Sequence, residues 1–430
     1  MARPSAERVA AAAALITLLP ATLVQGDPAA AGFVGRALIA DRRDPPPRRP
    51  LAPAQQQQFD LGLQVFNTSW VAAGTARAGR RDGLGPLYIS ASCDACHNNG
   101  ARGRPPEHDG LSNSFVMQLD GPADSPYGAV LNTAALPDQS REGQVQVNWT
   151  LRHGQYPDGT AWTLREPHYA LTHLLYGPPP AATTLRPRIA PAIYGVGLLE
   201  AVPDQALQAI RRQQPQALRG RLPAGRLGWR GEVKDVADQT ARAFAREMGL
   251  TSRLRPQDDC SPVQLACRAA PQGGVPEVSD EFMQALLTFQ RELPVPARAP
   301  LDAAADVAGR SLFEQAGCAS CHVGELPVSI DGIAARIDTF SDLLLHDLGE
   351  GLADHRADGR IVTSRWRTAP LWGLAQALQS GDIALLHDGR AGSVEQAILW
   401  HDGQAAGAQR AFQRLPAAER ARLLRWIESL

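Results

Sequence analysis

Lysine is almost absent from this chain of 430 residues. Lys234 is the single lysine among 43 basic residues, and the others are arginine. A mechanism that forms a Schiff base on a lysine amine is therefore not expected. Net charge is also lacking, because the 43 basic residues face 44 acidic ones and no basic block occurs. This balance argues against nucleic acid as a partner, since such proteins carry a basic patch or stripe.

Long apolar runs are scarce outside the N-terminus. Residues 1–26 carry Arg3 and Arg8, then the run VAAAALITLLPATLV, then small and polar residues. This pattern is typical of a signal peptide, and its short length and Pro20 argue against a firm membrane span. An uncleaved anchor is the alternative. No later segment approaches the ~18 apolar residues of a span, so we expect a periplasmic mature chain with no membrane span.

Cysteine is rare as well, with six residues, but four of them are arranged in a repeated pattern. ASCDACHNNG contains Cys93, Cys96 and His97, and GCASCHVGEL contains Cys318, Cys321 and His322. A C-x-x-C pair in an exported chain indicates a redox disulfide, half of a zinc site or a haem attachment site. The histidine after each pair favours haem, with two thiols for thioether bonds and an imidazole as proximal iron ligand.

The competing interpretations fit less well. A thioredoxin-type pair needs no adjacent histidine and lies in a βαβ pattern, which the chain lacks. Two motifs so far apart in the chain do not resemble one four-ligand zinc site. We therefore predict two covalently bound c-type haems, haem 1 at residues 93–97 and haem 2 at 318–322.

The remaining cysteines, Cys260 and Cys267, lie in the Pro- and Gly-rich stretch DDCSPVQLACRAAPQGG. Export makes a disulfide the simplest interpretation, as a local crosslink without a catalytic role.

The organisation of the chain follows from its repeats. Residues 27–57 predict a linker rich in Pro, Arg and Gln, and an apolar helix then precedes each cysteine motif. RPRIAPAIYGVGLLEAVP and SRWRTAPLWGLAQAL each carry Arg-x-Ala-Pro before an aromatic residue and a glycine. We predict a mainly α fold of two tandem cytochrome c-like haem domains, at 58–300 and 301–430, with long loops and insertions in the first. Residues 142–154 are the candidate for a small hairpin.

Several longer motifs carry a resemblance. Together with the two cysteine motifs, GWRGEVKDVADQTARAFAREMGLTS, FSDLLLHDLGEGLAD, WRTAPLWGL and LLHDGRAGSVEQAILWHDG resemble the bacterial di-haem oxidoreductase family. That family is related to the di-haem cytochrome c peroxidases, and the resemblance covers roughly residues 55–430. It implies peroxide chemistry at haem 1, electron transfer at haem 2 and a tryptophan between them. It also implies a small periplasmic electron carrier, a cytochrome c or a cupredoxin, as partner.

The resemblance carries three residues of one segment over to the active site. Trp229 corresponds to the bridging tryptophan, Gln239 to an amide of the pocket and Glu247 to the acid that moves a proton. The acid comes two residues earlier than in the family. Eight residues along a helix make about 2.2 turns, so Gln239 and Glu247 should lie within a quarter turn of each other. The alternative is that both are solvated helix positions and that Trp229 is a core residue.

If haem 2 only transfers electrons, its iron requires a second axial ligand in addition to His322. His401 follows His387 at the spacing where the peroxidases usually place a methionine. Ser393 and Gln396 form a capping box, so a helix should begin near residue 394 and bring His401 to its far end. Two imidazoles would give a lower potential than imidazole with thioether. A surface histidine is the alternative for His401.

Two further features of the peroxidases are in doubt here. The calcium site of the peroxidases is doubtful in this chain, because Ile189 occupies the asparagine position of their Arg-Asn-Ala-Pro. A sixth ligand for haem 1 stays open among His108, His153, His168 and His173. Two other functions also stay open: a pure electron-transfer cytochrome, and an oxidase that acts on a partner protein or an organic substrate.

Overall fold

The computed structural model describes residues 45–75, 81–106, 112, 114–381 and 383–430. The predicted signal peptide, 1–26, and most of the predicted linker, 27–57, lie outside these ranges, as does His108. The described end of the linker is packed against the protein, with Arg48 buried beside Glu292 at 3.2 Å. Within the described ranges, no helix is both long enough and apolar enough to cross a membrane.

We call the residues up to 300 the first half of the chain and residues 301–430 the second half. The first half contains both short and long helices. They are α1 Pro53–Asn67, α2 Cys93–Cys96, α3 Val196–Glu200, α4 Asp204–Gln213, α5 Val236–Glu247, α6 Leu265–Arg268 and α7 Asp280–Glu292. The second half adds α8 Ala303–Gln315, α9 Leu374–Gln379, α10 Val394–Leu399, α11 Ala406–Arg414 and α12 Ala417–Glu428. Single 3-10 turns lie at Asn98–Gly100, Gln216–Leu218, Cys318–Ser320, Glu350–Leu352 and Gly403–Ala405.

Strands lie between these helices in both halves. They are β1 Val71–Ala72, β2 Asp82–Leu84, β3 Leu87–Tyr88, β4 Phe115–Asp120, β5 Ala134–Ala135, β6 Gln144–Gln155, β7 Ala161–Thr172 and β8 Thr184–Ile189. The second half has β9 Glu325–Ile330, β10 Ile333–Asp338, β11 Leu345–Asp347, β12 Asp354–Arg356, β13 Ile361–Thr363 and β14 Arg365–Arg367. One sheet has the order β13-β12-β8-β4 and so joins the two halves, and the other sheets have two strands each.

The prediction of a mainly α fold was wrong. Helices make up 33% and strands 21% of the structure, in several sheets. The hairpin expected at 142–154 exists and is larger than predicted, with twelve residues in each of β6 and β7. Only Val145 and Val147 of β6 are buried. A ribbon with two exposed faces shows little alternation of apolar and polar residues, which is why the sequence pattern under-represented these strands.

Each half packs its first long helix against its last. Helix α1 crosses α7, and α8 crosses α12. A glycine lies at each crossing: Gly62 faces the Ala285 backbone and Phe289, while Gly309 faces Trp426. A side chain at either position would overlap the partner helix, so the glycines permit the close approach. The two halves thus share one helix arrangement at corresponding points of the repeat.

Each half also contributes a β-hairpin to the apolar core of the other. The β9–β10 hairpin brings Leu326, Val328 and Ile337 into the core formed by α1, α5 and α7. In return, the β6–β7 hairpin brings Tyr156 and Leu164 into the core around α8 and α12. Hydrogen bonds secure both, since the N–H of Ser329 donates to the Ala201 carbonyl at 3.1 Å and the Tyr156 hydroxyl donates to Glu395 at 2.7 Å. The two cores are completed only by the whole chain.

The Arg-x-Ala-Pro repeats meet between these cores. Tyr194 of the first repeat lies against Gly373 of the second, and Trp372 of the second lies against Gly195 of the first. Both glycines have a positive φ, 65° and 77°, a conformation that glycine adopts without steric cost. The repeats therefore form a joint in which each aromatic ring covers the other repeat's glycine.

The crossing of α8 with α12 generates a stability prediction. Gly309→Ala places a methyl group where the Trp426 side chain now lies. Overpacking of this kind costs about 1–3 kcal/mol, which the better helix propensity of alanine offsets by only about 1 kcal/mol. The matched control is Val307→Ala, on the same helix with a side chain that is 69% exposed. Urea unfolding should show a loss for Gly309→Ala and a change within about 0.5 kcal/mol for Val307→Ala. Equal stability of the two variants would contradict the crossing.

Candidate functional site

The second cysteine motif follows directly from α8. Gly317, with φ +85°, turns the chain into the short 3-10 segment Cys318–Ser320. The His322 ring then lies with Nδ1 2.8 Å from the Phe340 carbonyl oxygen. Because a carbonyl only accepts, Nδ1 carries the proton and Nε2 keeps its lone pair for a metal. Burial lowers the pKa of His322 to about 4, so the ring is neutral at neutral pH.

His401 faces His322 across a cavity. The predicted helix begins as expected, with Ser393 accepting the Gln396 N–H at 3.1 Å at the start of α10. His401 follows the helix end, and its Nδ1 donates to the Ala397 carbonyl at 2.6 Å. Its Nε2 is therefore also left with a lone pair. The His322 and His401 ring centroids are 6.5 Å apart.

That separation fits two imidazoles on one metal ion. With metal–nitrogen bonds of roughly 2.0–2.1 Å on both sides, the ring centroids lie about 6–6.5 Å apart. The cavity around them measures about 360 Å³. Its walls carry Cys318 and Cys321 together with mostly apolar side chains: Phe313, Leu352, Trp366, Leu374, Ile398 and Ile427. The donor set and the apolar walls fit a haem attached at the second motif.

The first motif is held by different elements. Ser92 accepts the Ala95 N–H at 3.2 Å and so begins the short helix α2. The His97 Nδ1 donates to the carbonyl of Pro191, at 2.8 Å, within the first Arg-x-Ala-Pro repeat. Its Nε2 has a lone pair, as in the two histidines of the second site, and burial lowers the pKa of His97 to about 4. The residues at the first motif thus offer the same proximal donor.

Glu247 lies beside the first motif. It is the last residue of α5, which ends two residues before Gly249, a glycine with φ +64°. The N–H groups of Ile89 and Ser90, just before the motif, donate to the Glu247 carbonyl at 2.8 and 3.2 Å. Its carboxyl group lies close enough to Cys93 to contribute to the raised pKa of that thiol, after burial as the main cause.

Burial also raises the pKa of Glu247 to about 7, and the positive charge of Arg246 opposes this shift. An acid with a pKa near neutrality can both give and take a proton at physiological pH. The structure therefore brings a poised carboxyl group next to the first motif, whereas the second motif faces an imidazole.

Gln239 and Trp229, the other two residues carried over from the family, do not lie beside Glu247. Gln239 lies on α5 with Glu247, but eight residues along a helix separate them by about 12 Å. Trp229 lines the cavity of the second motif, and its indole N–H donates to the Ile189 carbonyl at 3.0 Å. The structure thus puts Trp229 at the second site and Gln239 on the helix of the first.

The cysteine environments argue against thiol redox chemistry. Burial raises the pKa of Cys93 to about 12 and that of Cys318 to about 11. A redox-active thiol has a lowered pKa instead, because the thiolate is the nucleophile. Cys93, Cys96, Cys318 and Cys321 form no disulfide, whereas Cys260 and Cys267 do.

A buried carboxylate organises the chain behind the second motif. Asp342 accepts from the Gln214 side-chain amide at 2.7 Å and lies 2.8 Å from the Nε2 of His346. The Gln214 amide also donates to the Ser320 carbonyl at 3.0 Å. The Cys321 sulfur lies within 4.8 Å of the Asp342 and His346 ligand atoms, and the sequence predicts a different role for this cysteine, within C-x-x-C-H. We interpret this group as a support for the motif.

Two arginines that line the cavity were not predicted from the sequence as site residues. Arg102 and Arg367 line the same cavity as His322. Arg367 belongs to the second Arg-x-Ala-Pro repeat, which was a usable signal, whereas nothing in the sequence relates Arg102 to the second motif. The insertion histidines His153 and His168 lie on exposed hairpin positions and bond to Thr163 and Thr150 across the strands.

Comparison with known proteins identifies the family. The model of the family described as "Di-haem oxidoreductase, putative peroxidase" matches residues 182–430. This is more than half of the chain, and the chain belongs to that family. The matched range contains the second motif, His401, Trp229, Gln239 and Glu247, and it begins after the first motif. The family supports haem cofactors and an oxidoreductase activity.

Other comparisons add little. No curated protein matches the chain. A solved structure of Kuenenia stuttgartiensis hydrazine synthase aligns with 13% identity and a TM-score of 0.36, covering 99% of this chain and 100% of that one. Similarity at this level carries no argument about function.

The raised pKa of Glu247 predicts a specific pH dependence. The folded state holds this proton up to about pH 7, whereas the ordinary carboxyl pKa is 4.5. The resulting stabilisation is present below pH 4.5 and is lost as the pH rises through 7. The free energy of unfolding of Glu247→Gln, relative to wild type, should therefore rise by roughly 1–3 kcal/mol between these pH values. Urea unfolding at several pH values measures it, with exposed Glu350→Gln as control. A difference that does not change with pH would contradict the buried acid.

Proposed function

We propose that this chain is a periplasmic di-haem enzyme that reduces hydrogen peroxide at haem 1 with electrons passed through haem 2. Cys93 and Cys96 attach haem 1, with His97 as proximal ligand. Cys318 and Cys321 would attach haem 2, and His322 and His401 would both serve as ligands of its iron. The two crossed helix pairs support tandem cytochrome c-like domains, at 58–300 and 301–430.

The observation that carries the proposal is the difference between the two motifs. The second motif faces a second imidazole, His401, at the separation expected for a shared metal. The first motif has near it a carboxyl group, Glu247, with a pKa of about 7. Haem iron exchanges electrons and, where one coordination position is open, supports cleavage of the O–O bond. A site with two imidazoles suits electron transfer. A site beside a carboxyl group that can carry a proton suits peroxide chemistry.

The protein residues then have distinct tasks. Glu247 takes the proton from one peroxide oxygen and gives it to the other, so that water can leave. Each peroxide consumes two electrons and two protons and yields two waters. Trp229, at the wall of the second cavity, passes electrons towards the first site. Gln239 contributes an amide about two turns before Glu247 on α5.

The electrons require a donor. A small periplasmic cytochrome c or cupredoxin is the partner we propose. Such carriers deliver single electrons, which a haem at the second motif would accept. The Cys260–Cys267 disulfide agrees with export, since disulfides persist in oxidising compartments.

The ligand role of His401 predicts a spectral change. His401→Gly removes one imidazole, so one low-spin haem should become high-spin while the pyridine haemochrome assay still gives two haems per chain. His355→Ala, at an exposed histidine on β12, should keep the wild-type spectrum. An unchanged spectrum in His401→Gly would show that His401 is not a ligand.

The proton role of Glu247 predicts a kinetic change. Removing a positioned general acid typically slows the reaction by about 10²–10⁴-fold, so Glu247→Gln should slow the peroxide step on that scale with both haem spectra intact. Trp229→Phe should leave this step unchanged and slow the oxidation of haem 2. Stopped-flow mixing with peroxide, following both haem bands, measures each rate, with Glu350→Gln as control.

Two outcomes would contradict this part of the proposal. Wild-type rates in Glu247→Gln would remove Glu247 from the site. No reaction of the wild type with peroxide in any redox state would instead indicate an electron-transfer protein.

A further inference from the structure

Two guanidinium groups from different halves meet at the cavity of the second motif. Arg102 follows His97 by five residues and therefore belongs to the first motif's segment, yet it lines the cavity that contains His322. Arg367 comes from β14 in the second half and lines the same cavity. Burial is the main cause that lowers the pKa of Arg367 to about 10, and the positive charge of Arg102 contributes to it. The two cations are thus close neighbours.

Neither arginine has a carboxylate contact among the described residues. The Arg367 Nε donates to the Gly228 carbonyl at 3.0 Å, and its Nη1 lies 3.5 Å from the Thr368 carbonyl. Glu232 acts on Arg367 only through its charge, and its carboxylate accepts the Arg230 N–H at 2.8 Å. Burial lowers the pKa of Arg102, and among the described residues only Tyr194 opposes this shift.

Other arginines of the same region are paired. Arg188, which occupies the position of Arg367 in the first Arg-x-Ala-Pro repeat, forms two hydrogen bonds with Asp354, at 2.9 and 2.7 Å. Arg390 likewise binds the buried Asp388 at 2.7 Å. Removing cations from water is costly unless an anion accompanies them. The unpaired arginines at the cavity therefore indicate an anionic group that belongs inside it.

We propose that Arg102 and Arg367 bind the two propionate carboxylates of haem 2, an inference that rests on the proposed function. A guanidinium group offers two parallel N–H donors that match a carboxylate. Positive charge beside a redox centre favours its reduced form, because reduction removes one positive charge. Arg102 thereby makes the potential of haem 2 depend on the segment that carries haem 1, and both arginines offset the low potential of two imidazole ligands.

The test compares Arg102→Gln, Arg367→Gln and the control Arg212→Gln, which removes a charge from an exposed position on α4. Spectroelectrochemical titration of the low-spin haem measures its midpoint potential, and resonance Raman spectra record the propionate bending mode. Each cavity variant should lower the equilibrium constant for reduction by up to about tenfold, which is 59 mV for one electron, and should shift the propionate mode. Arg367→Lys keeps the charge but lacks the two parallel N–H donors of a guanidinium group. It should recover part of the potential while the propionate bending mode stays shifted.

The outcomes separate this inference from the function on which it rests. Haem at both motifs with a wild-type potential and propionate mode in both glutamine variants would overturn the inference and leave the proposed function standing. That result would assign the arginines to another anion, such as a substrate carboxylate. A wild-type protein without haem at the second motif by pyridine haemochrome analysis would overturn both.

Discussion

The reciprocal exchange of β-hairpins between the two halves is the constraint on which the rest of the structure depends. The β9–β10 hairpin begins three residues after His322 and buries Leu326, Val328 and Ile337 in the core of the first half. The β6–β7 hairpin of the first half buries Tyr156 and Leu164 in the core of the second half, beside α10, the helix that brings His401 to the cavity. The core of the first half therefore anchors the chain that follows the second motif, and the hairpin of the first half supports the helix that precedes His401. Burial of these side chains supplies the main stabilising free energy of both contacts.

The exchange also explains how a residue of one motif reaches the other site. The joint of Tyr194 and Trp372 holds the two Arg-x-Ala-Pro repeats together, and His97 donates to the carbonyl of Pro191 in the first of them. Arg102 lies five residues beyond His97, close to Tyr194 of this joint, and lines the second cavity. Trp229 reaches the same wall through its bond to Ile189. The two proposed haem sites thus share a boundary built from backbone and aromatic side chains.

Much of the local structure could be predicted from the sequence. Several long helices have side-chain caps at their first turn, such as Asp302, which accepts the Ala305 N–H at 2.8 Å. The start of α10 at Ser393 was predictable for the same reason. Their signals are local, so one sequence contains them. The prediction for His401 came instead from the family resemblance, through the spacing of this residue from His387.

The features that the sequence did not reveal are those made by distant partners. Strand β8 pairs with β12, which lies in the other half of the chain, and no local pattern indicates that pairing. Most of β6 is exposed on both faces, so it lacks the alternation that marks a strand. The cavity position of Arg102 depends on the joint between the repeats. The quarter-turn relation of Gln239 and Glu247 was predictable, whereas their axial separation limits what they can contact together.

The glycines at the two helix crossings and the exchanged hairpins have opposite effects on the independence of the two halves. Gly62 and Gly309 let each half pack its own terminal helices. The hairpins complete the core of the opposite half, so separation of the halves would expose apolar surface on both. Substitutions in either hairpin are therefore constrained by residues of the opposite half.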